Sequence, residues 1–218
     1  MINKLKNKSI LITAGPTWVP IDSVRVISNI ATGQTGILLA ERLQRLGAKV
    51  TLLLGPVETC SLNKKIRLIR FTFFDELKDK ITQELKTKKY DMVIHSAAVS
   101  DYRPLKTYSH KIKSGIKKWR LSLIPTEKII DAIKRIDKSI FLVGFKFELH
   151  AGKCALIKKT KELIWHANLD LGVGNTIDKN KYYAYILDNY NRSYGPIFNK
   201  RDLVTKLADL IGGNPWKN

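Results

Sequence analysis

The sequence predicts an α/β fold that is Rossmann-like, with a doubly wound and mostly parallel sheet, and three observations lead to this class. Short apolar runs alternate along the chain with segments whose apolar residues recur at helical spacing. These runs end at glycine, proline or small polar residues, where strands turn into helices. Hydrophobic residues make up 44% of the 218 residues, enough for a sizeable core. This rhythm is typical of parallel strands with helices on both faces.

The first half of the chain holds four predicted strands and two predicted helices. Residues 9–13 form a short apolar run that ends at Gly15, as a buried strand before a turn does. Farther on, Leu39, Leu43 and Leu46 share one helical face, and Gly47 stops that helix. In order, the predicted elements are a strand at 9–13, a helix at 36–46, strands at 49–54 and 66–71, a helix at 75–86 and a strand from 92.

The second half continues the same rhythm. Thr126 is placed to cap a helix whose apolar positions are Ile129, Ile133 and Ile136. The remaining predicted elements are a strand at 140–145, a helix at 151–167, strands at 171–173 and 182–187, and a last helix marked by Leu203, Leu207 and Leu210. We expect all of these elements to belong to one domain that spans residues 1–218.

One segment interrupts the alternation. Residues 104–118 are polar and basic, contain Gly115 and show no core periodicity. Residues 119–123 then alternate apolar and polar side chains, as a half-buried strand does. We therefore expect an arm, residues 104–123, that leaves the sheet and returns.

The formal charge of +20 allows two interpretations. It is expected of a nucleic-acid-binding protein, and equally of a lysine-rich enzyme that acts on anionic substrates. The lysines are scattered and arginine, the usual reader of bases, is sparse. We favour the enzyme and do not expect nucleic acid as a partner.

Composition also bears on the compartment. The chain has no apolar run of membrane-spanning length and no apolar signal core near its first residues, so we expect a cytoplasmic protein and no membrane partner. Its two cysteines, Cys60 and Cys154, are far apart, which indicates reduced thiols. No grouping of histidine, cysteine and glutamate predicts a metal site.

Ligands of doubly wound sheets bind at the carboxyl ends of the strands, so the segments after each predicted strand are the first candidates. After the first strand, glycines and hydroxyls precede a predicted helix, whose free amides and positive dipole end suit a phosphate group. Glycine at such a turn is structural about as often as functional. The segment matches neither the dinucleotide motif nor the P-loop. The predicted phosphate or substrate loop comprises Gly15, Pro16, Thr17, Ser28, Gly33 and Gly36.

A second candidate segment, residues 95–104, follows the fourth predicted strand. Its small residues let a flat ring or a phosphate approach the backbone. Asp101 can accept hydrogen bonds from a sugar hydroxyl or an amine, or simply cap a turn. His95 has the position of a packed histidine at a strand end.

Four segments, in order, carry a family resemblance. Residues 15–36, continued by Leu-Leu-Gly-Pro at 53–56, resemble the opening of phosphopantothenoylcysteine synthetases. Ala-Ala-Val-Ser-Asp-Tyr at 97–102, Lys-Ile-Lys-Ser at 111–114 and Leu-Val-Gly-Phe at 142–145 resemble their later signatures. The resemblance implies a Rossmann-like homodimer with a β arm that crosses to its partner. Because the chain begins at the synthetase strand, we expect no flavin and no decarboxylation.

The same resemblance implies a ligase reaction of coenzyme A biosynthesis. The carboxylate of 4'-phosphopantothenate attacks the α-phosphate of CTP, which is bound with Mg²⁺, and pyrophosphate leaves. The amine of cysteine then attacks the acyl-cytidylate, and CMP leaves. ATP is the alternative nucleotide. The rival functions are a nucleic-acid-binding protein, which rests on the charge, and a nicotinamide or flavin oxidoreductase, which rests on the fold alone.

The resemblance also assigns roles to residues. Lys111 offsets the charge on the α-phosphate, Asn29 orients the acyl carbonyl, and Arg25 and Ala98 affect the second step. We expect Lys111 to complete a site with Asn29 of the partner subunit, because the arm offers it no local packing. The remaining nucleotide-binding candidates are His95, Ser96, Ala97, Asp101, Glu127, Lys128, Ile129, Ile130, Phe145 and Lys159.

The chain departs from the family pattern at three places. Gln34 follows Gly33 where the family commonly has lysine, and Gly-Asn-Thr at 174–176 replaces the usual Ala-Asn-Asp. Leu163 and Ala167 occupy positions where many members carry lysines, whereas Lys159 lies about a turn before Leu163. These departures concern the end of the nucleotide site.

Overall fold

The computed structural model describes residues 4–58 and 62–213. Within these ranges it contains twelve strands and five helices. The strands are β1 (Ser9–Ala14), β2 (Trp18–Pro20), β3 (Val26–Ser28), β4 (Lys49–Leu54), β5 (Arg67–Arg70), β6 (Met92–His95), β7 (Tyr102–Pro104), β8 (Leu123–Pro125), β9 (Phe141–Phe147), β10 (Leu171–Asp178), β11 (Lys181–Asp188) and β12 (Ser193–Ile197). The helices are α1 (Gln34–Arg45), α2 (Phe74–Thr87), α3 (Ile129–Ile136), α4 (Lys153–Ala167) and α5 (Lys200–Gly213).

Eight of these strands form the central sheet, in the order β12-β11-β10-β9-β6-β1-β4-β5. The six strands from β10 to β5 are mutually parallel, whereas β11 pairs antiparallel with β10 and β12 pairs antiparallel with β11. Helices cover both faces. The predicted fold class, a Rossmann-like and mostly parallel doubly wound sheet, is confirmed.

The central strand β1 shows why both faces are covered. Successive side chains of a strand point to opposite faces. Ile10 and Ile12 lie in one apolar cluster, which is completed by α1 and α5, whereas Leu11 lies in a second cluster against α2, α3 and α4. A strand buried on both faces has a continuous apolar sequence, and 10–12 is such a run.

The arm differs from its prediction. The predicted strand at 119–123 is wrong: residues 119–122 are exposed and form no strand, and only Leu123 begins β8. The strand begins this late because its partner is short: β8 pairs antiparallel with β7, from Tyr102 opposite Pro125 to Pro104 opposite Leu123. Within this stretch, the Trp119 ring packs under the Arg25 guanidinium at 5.4 Å.

Other differences are smaller. Thr126 does not cap α3, because its hydroxyl donates to the Ser100 carbonyl at 2.6 Å and Lys128 occupies the cap position. The strand predicted at 171–173 extends to Asp178, paired throughout with β11. The hairpin of β2 and β3, and strand β12, have no counterpart in the prediction.

Two composition-based expectations meet the structure in part. Cys154 is an exposed free thiol, whereas Cys60 lies outside the described residues. Across 4–58 and 62–213, no helix combines the length and apolar character needed to cross a bilayer.

Candidate functional site

The segments after β1 and β6 run side by side beyond the carboxyl edge of the sheet. The Ala98 amide donates to the Gly15 carbonyl at 2.9 Å, and the Thr17 amide donates back to the Ala98 carbonyl at 3.3 Å. Nearer the sheet, Ser96 Oγ donates to the Thr13 carbonyl at 2.7 Å. These hydrogen bonds hold the two segments that are predicted to contact ligands side by side.

The glycines of the first segment let α1 approach that edge closely. Gly15 and Gly33 have left-handed backbones, with φ of 82° and 68°, which strain other residues. A Cβ on Gly36 would lie 2.5 Å from the Ala14 Cβ and 2.8 Å from Ser96 Oγ. The first turn of α1 contains no acidic residue, and Gly33 supplies no side-chain cap. The Gln34 amide has only a long bond to a side chain, to Thr32 Oγ1 at 3.4 Å. The N-terminus of α1 is thus an electropositive end at this edge, as anion binding requires.

Asn29 is bound to the second segment. Its Nδ2 donates to the carbonyls of Ala98 at 3.3 Å and Val99 at 3.0 Å. Both amide hydrogens are therefore engaged, and Oδ1 remains as an acceptor. The expected role of Asn29, orienting an acyl carbonyl, requires a donor; this geometry offers an acceptor instead. Ser28 is fixed beside it, since its Oγ donates to the Thr17 carbonyl at 3.2 Å.

His95 is a packed strand-end histidine, as predicted. Its Nδ1 lies 2.9 Å from Thr13 Oγ1, which also accepts from the Ala97 amide at 3.2 Å. Burial lowers the pKa of His95 to about 4, so the imidazole is neutral at physiological pH. The contribution of this stretch to ligand binding therefore falls to its backbone and to the small residues after His95.

Asp101 and the N-terminal end of α3 form one wall of the edge. Lys128 Nζ pairs with Asp101 Oδ1 at 2.5 Å, although both side chains are largely exposed. Ile129 and Ile130 have buried side chains that belong to the core, so only their backbone can face a ligand.

Glu127, the remaining predicted residue of this wall, is engaged elsewhere. Its carboxylate pairs with Lys78 at 2.5 Å and with Arg135 at 2.9 Å. The hydrogen bonds from Lys78 and Arg135 lower the pKa of Glu127. A ligand contact from this residue would have to come from its backbone.

At the end of β9, Phe145 is half-buried against the core, and the following residues carry a charge cluster. Glu148 pairs with Lys159 at 2.6 Å and with Lys146 at 3.1 Å. The hydrogen bond from Lys159 is the main reason why the pKa of Glu148 is lowered. Lys159, a predicted nucleotide contact, is thus already paired within the chain.

The Lys111 side chain is exposed, and within the described residues it makes no hydrogen bond or ion pair. Its backbone, in contrast, is held locally, which corrects the expectation that the arm offers no local packing. The next residue, Ile112, donates its amide to Asp22 Oδ2 at 3.1 Å, and its carbonyl accepts from both terminal nitrogens of Arg25 at 3.4 Å. Sequence reasoning had missed Asp22, although Asp-x-x-Arg at 22–25 is a turn-forming pattern.

Lys111 and Asn29 of one chain lie at opposite ends of the β2–β3 hairpin. Ile112 is held at the hairpin turn, by Asp22 and Arg25, whereas Asn29 follows the last residue of β3. Asn29 follows Arg25 by four positions, which is about 13 Å at roughly 3.3 Å per strand residue. In this conformation the two predicted catalytic residues are not brought together within one chain.

Comparison with known proteins identifies the family. The family model described as the DNA/pantothenate metabolism flavoprotein C-terminal domain matches residues 5–211. The chain belongs to this family. The matched part of the chain contains all four segments on which the resemblance rests.

Within the described residues, no group of three or more His, Cys, Asp or Glu side chains is arranged to hold a metal ion.

Two curated relatives in the family are bifunctional coenzyme A biosynthesis proteins, CoaBC. The protein from Thermococcus kodakarensis is 37% identical over 212 residues, which cover 95% of this chain and 51% of the relative. The protein from Bacillus subtilis is 34% identical over 215 residues, which cover 95% of this chain and 52% of the relative. The chain therefore spans about half the length of these relatives.

Solved structures agree with this fold. The C-terminal domain of a CoaBC protein superposes with a TM-score of 0.79 at 25% identity and covers 96% of each chain. The DNA/pantothenate metabolism flavoprotein from Streptococcus pneumoniae gives a TM-score of 0.82 at 25% identity, covering 94% of this chain and 98% of that one. A Cab2 variant solved with phosphopantothenate-cysteine gives 0.74 at 19% identity, covering 94% and 87%, a likeness of fold alone.

Proposed function

We propose that the protein is a phosphopantothenate–cysteine ligase, which joins cysteine to 4'-phosphopantothenate in coenzyme A biosynthesis, in the cytoplasm. The observation that supports this most is the joining of the segments after β1 and β6. They carry two separate signatures of the resemblance, and Asn29 of the first is bonded to Ala98 and Val99 of the second. The names of the curated relatives place them in the same pathway.

In the first step, a carboxylate oxygen of 4'-phosphopantothenate attacks the α-phosphorus of CTP. The bond to the β-phosphate oxygen breaks, and pyrophosphate leaves with that electron pair. Negative charge builds on the α-phosphate, and Mg²⁺ enters with the nucleotide as part of the substrate. Lys111 supplies the protein's cation, since its side chain is exposed and makes no ion pair in the described chain.

In the second step, the amine of cysteine attacks the acyl carbon, CMP leaves, and the new amide nitrogen loses a proton. An attacking amine must present its lone pair to the carbon while its hydrogens are held elsewhere. Asn29 Oδ1, the free acceptor of that side chain, is suited to hold one of them. Arg25 and Ala98 assist this step, Ala98 because its carbonyl fixes Asn29.

The nucleotide is proposed to bind at the carboxyl edge of the sheet. The N-terminus of α1 and the loop at 15–17 suit phosphate groups, and the small residues at 96–97 leave room for a flat ring. The Asp101 carboxylate, which now pairs with Lys128, can instead accept a hydrogen bond from a ribose hydroxyl. Phe145 is proposed to lie beside the base. CTP is the proposed nucleotide, and ATP is the alternative.

We also propose a homodimer in which Lys111 serves a site with Asn29 of the partner subunit. One chain holds these residues at opposite ends of a hairpin, whereas a two-fold contact between hairpins can set the turn of one against the base of the other. The hairpin and arm also present large apolar side chains to solvent, as interaction surfaces do. The most exposed of these are Val24, Leu105, Ile116 and Leu123, and Ile30, two residues after β3, is also exposed.

The deciding experiment is product analysis. The purified protein is incubated with Mg²⁺, 4'-phosphopantothenate, cysteine and either CTP or ATP, and the mixture is analysed by mass spectrometry. We expect phosphopantothenoylcysteine, the nucleoside monophosphate and pyrophosphate in equal amounts. Omitting 4'-phosphopantothenate must abolish pyrophosphate release. Folded protein that forms no product with either nucleotide would refute the assignment.

A further inference from the structure

Asp22 is a buried carboxylate in the turn of the β2–β3 hairpin, and its two oxygens have different partners. Oδ1 accepts from the amides of Val24 at 2.9 Å and Arg25 at 2.8 Å, which closes the turn. Oδ2 accepts from Arg25 Nη1 at 2.6 Å and from the Ile112 amide at 3.1 Å. One oxygen therefore shapes the hairpin, and the other binds the arm.

The peptide group held by Oδ2 is the one that joins Lys111 to Ile112. On the far side of Ile112, the carbonyl accepts from both Nη atoms of Arg25, whose guanidinium also lies over the Trp119 ring. Every backbone hydrogen-bonding group of Ile112 is thus taken up by the Asp22–Arg25 pair. The starting point of the Lys111 side chain is fixed although its charged end is free.

We propose that Asp22 is a positioning residue for the first half-reaction, because its Oδ2 holds the backbone from which Lys111 extends. This inference rests on the proposed function, in which Lys111 meets the α-phosphate. A cation on a mobile loop loses most of its benefit, since the charge must be in place before the transition state forms. The role is independent of whether Lys111 serves its own chain or the partner subunit.

The ionisation of Asp22 agrees with this role. Burial raises the pKa of this carboxyl, but the hydrogen bonds from the Val24, Ile112 and Arg25 amides and the charge of Arg25 outweigh burial and lower it. At neutral pH the group is a carboxylate, which can accept from Ile112 and Arg25 at the same oxygen.

The test uses Asp22→Asn. With its amide oxygen at the Oδ1 position, asparagine keeps the turn bonds to Val24 and Arg25. Its NH₂ group then faces two donors, the Ile112 amide and Arg25 Nη1, so the bond to the arm is lost. We expect pyrophosphate release to slow about tenfold or more. Hydrogen exchange of peptides that contain Ile112 should accelerate.

Asp188→Asn is the matched control. Asp188 is also a buried hairpin carboxylate, bonded to the Tyr190 and Arg192 amides and to Arg192 Nε at 2.6 Å, but every one of these partners lies within its own turn. This variant should lose a similar bond without slowing pyrophosphate release. In the Lys111→Gln background, Asp22→Asn should cause no further slowing, because residues that act as a unit are not additive.

Four results overturn the positioning role. Hydrogen exchange at Ile112 or the rate of pyrophosphate release could be unchanged in Asp22→Asn. The effect could be confined to the cysteine step, which would implicate Arg25 instead, or Asp22→Asn could cause its full loss again in the Lys111→Gln background. Inactive wild-type protein would overturn the proposed function itself. An active wild-type protein whose rate survives Asp22→Asn overturns only the positioning role.

Discussion

The hydroxyl of Thr17 joins two loops by hydrogen bonds to Ser100, a residue 83 positions away: it accepts from the Ser100 amide at 2.9 Å and donates to Ser100 Oγ at 3.2 Å. Thr17 is fully buried, and the Ser100 carbonyl in turn accepts from Thr126 Oγ1. One small side chain therefore connects the segment after β1 with the segment after β6 and, through it, with the approach to α3.

The first prediction concerns this connection. Thr17→Val keeps the shape of the side chain but leaves the buried Ser100 amide without its acceptor. We expect the free energy of unfolding to fall by about 1–3 kcal/mol, the usual penalty for such an unsatisfied group. Urea denaturation measures the change. Thr17→Ser, which keeps the hydroxyl, serves as the control; equal stability of all three proteins would show that the bond contributes nothing.

The second prediction concerns the close approach of α1. In Gly36→Ala the new methyl would lie 2.5 Å from the Ala14 Cβ, so the helix must move away from the end of β1. We expect a loss of about 1–3 kcal/mol in stability, as for other overpacked sites, together with a higher KM for the nucleotide. Gly213→Ala, where nothing lies within 4 Å, is the control. A crystal structure of Gly36→Ala with α1 unmoved would contradict this reasoning.

The third prediction follows from the pKa of His95, about 4 in the folded protein against an ordinary value of 6.5. Below pH 6.5 the unfolded chain binds a proton that the folded chain excludes. Stability is therefore lost as the pH falls from about 6.5 to about 4, and the loss is about 2 kcal/mol at pH 5. His95→Gln should lack this part of the pH dependence. Unfolding free energies at pH 7.5 and pH 5 give the comparison, in which the exposed His110, His150 and His166 are common to both proteins. Parallel losses in the two proteins would count against it.

The fourth prediction separates the half-reactions. Asn29→Asp places a carboxylate oxygen against the carbonyls of Ala98 and Val99, which repel it, so the side chain must turn away. The variant should still form acyl-nucleotidylate but transfer it to cysteine on the order of a hundredfold more slowly. Lys111→Gln should fail at the earlier step. Quenching without cysteine shows which protein accumulates the mixed anhydride; equal accumulation in both would reject the division of roles.

The fifth prediction tests the shared site. Asn29→Asp and Lys111→Gln subunits, each inactive alone, should form mixed dimers with one intact site and up to about half the wild-type activity per mixed dimer, by two-fold symmetry. Asp22→Asn should restore activity with Asn29→Asp but not with Lys111→Gln. Mixed dimers that form and stay inactive, or a chain that sediments as a monomer, would contradict the arrangement.

Most strands and helices of the central domain can be predicted from the sequence, because the apolar pattern that indicates each of them lies within the element itself. The run at 10–12 and the spacing of Leu39 and Leu43 report directly which face is buried, and ligand positions follow from the carboxyl ends of parallel strands. Gly15, Gly33 and Ala98 were therefore placed at the correct edge.

What escaped prediction depends on contacts between distant residues. Strands β2 and β3 have three residues each, too few for a period-2 pattern, and β2 ends with a proline. Thr126 has the local features of a helix cap, but the Ser100 carbonyl, 26 residues earlier, takes its hydroxyl. The partnership of Asp22 with Ile112 spans 90 residues, and no local pattern encodes it.

That span has a consequence for the order of folding. Closing a loop of 90 residues costs more entropy than closing a short one, and this loop contains β6, which pairs with β1. We therefore expect the hairpin–arm contact to form late and to reopen by local unfolding, at a free energy below that of the whole domain. Activity and the folded sheet should then be lost at different denaturant concentrations. Mild denaturant should abolish ligase activity while the central sheet is still folded.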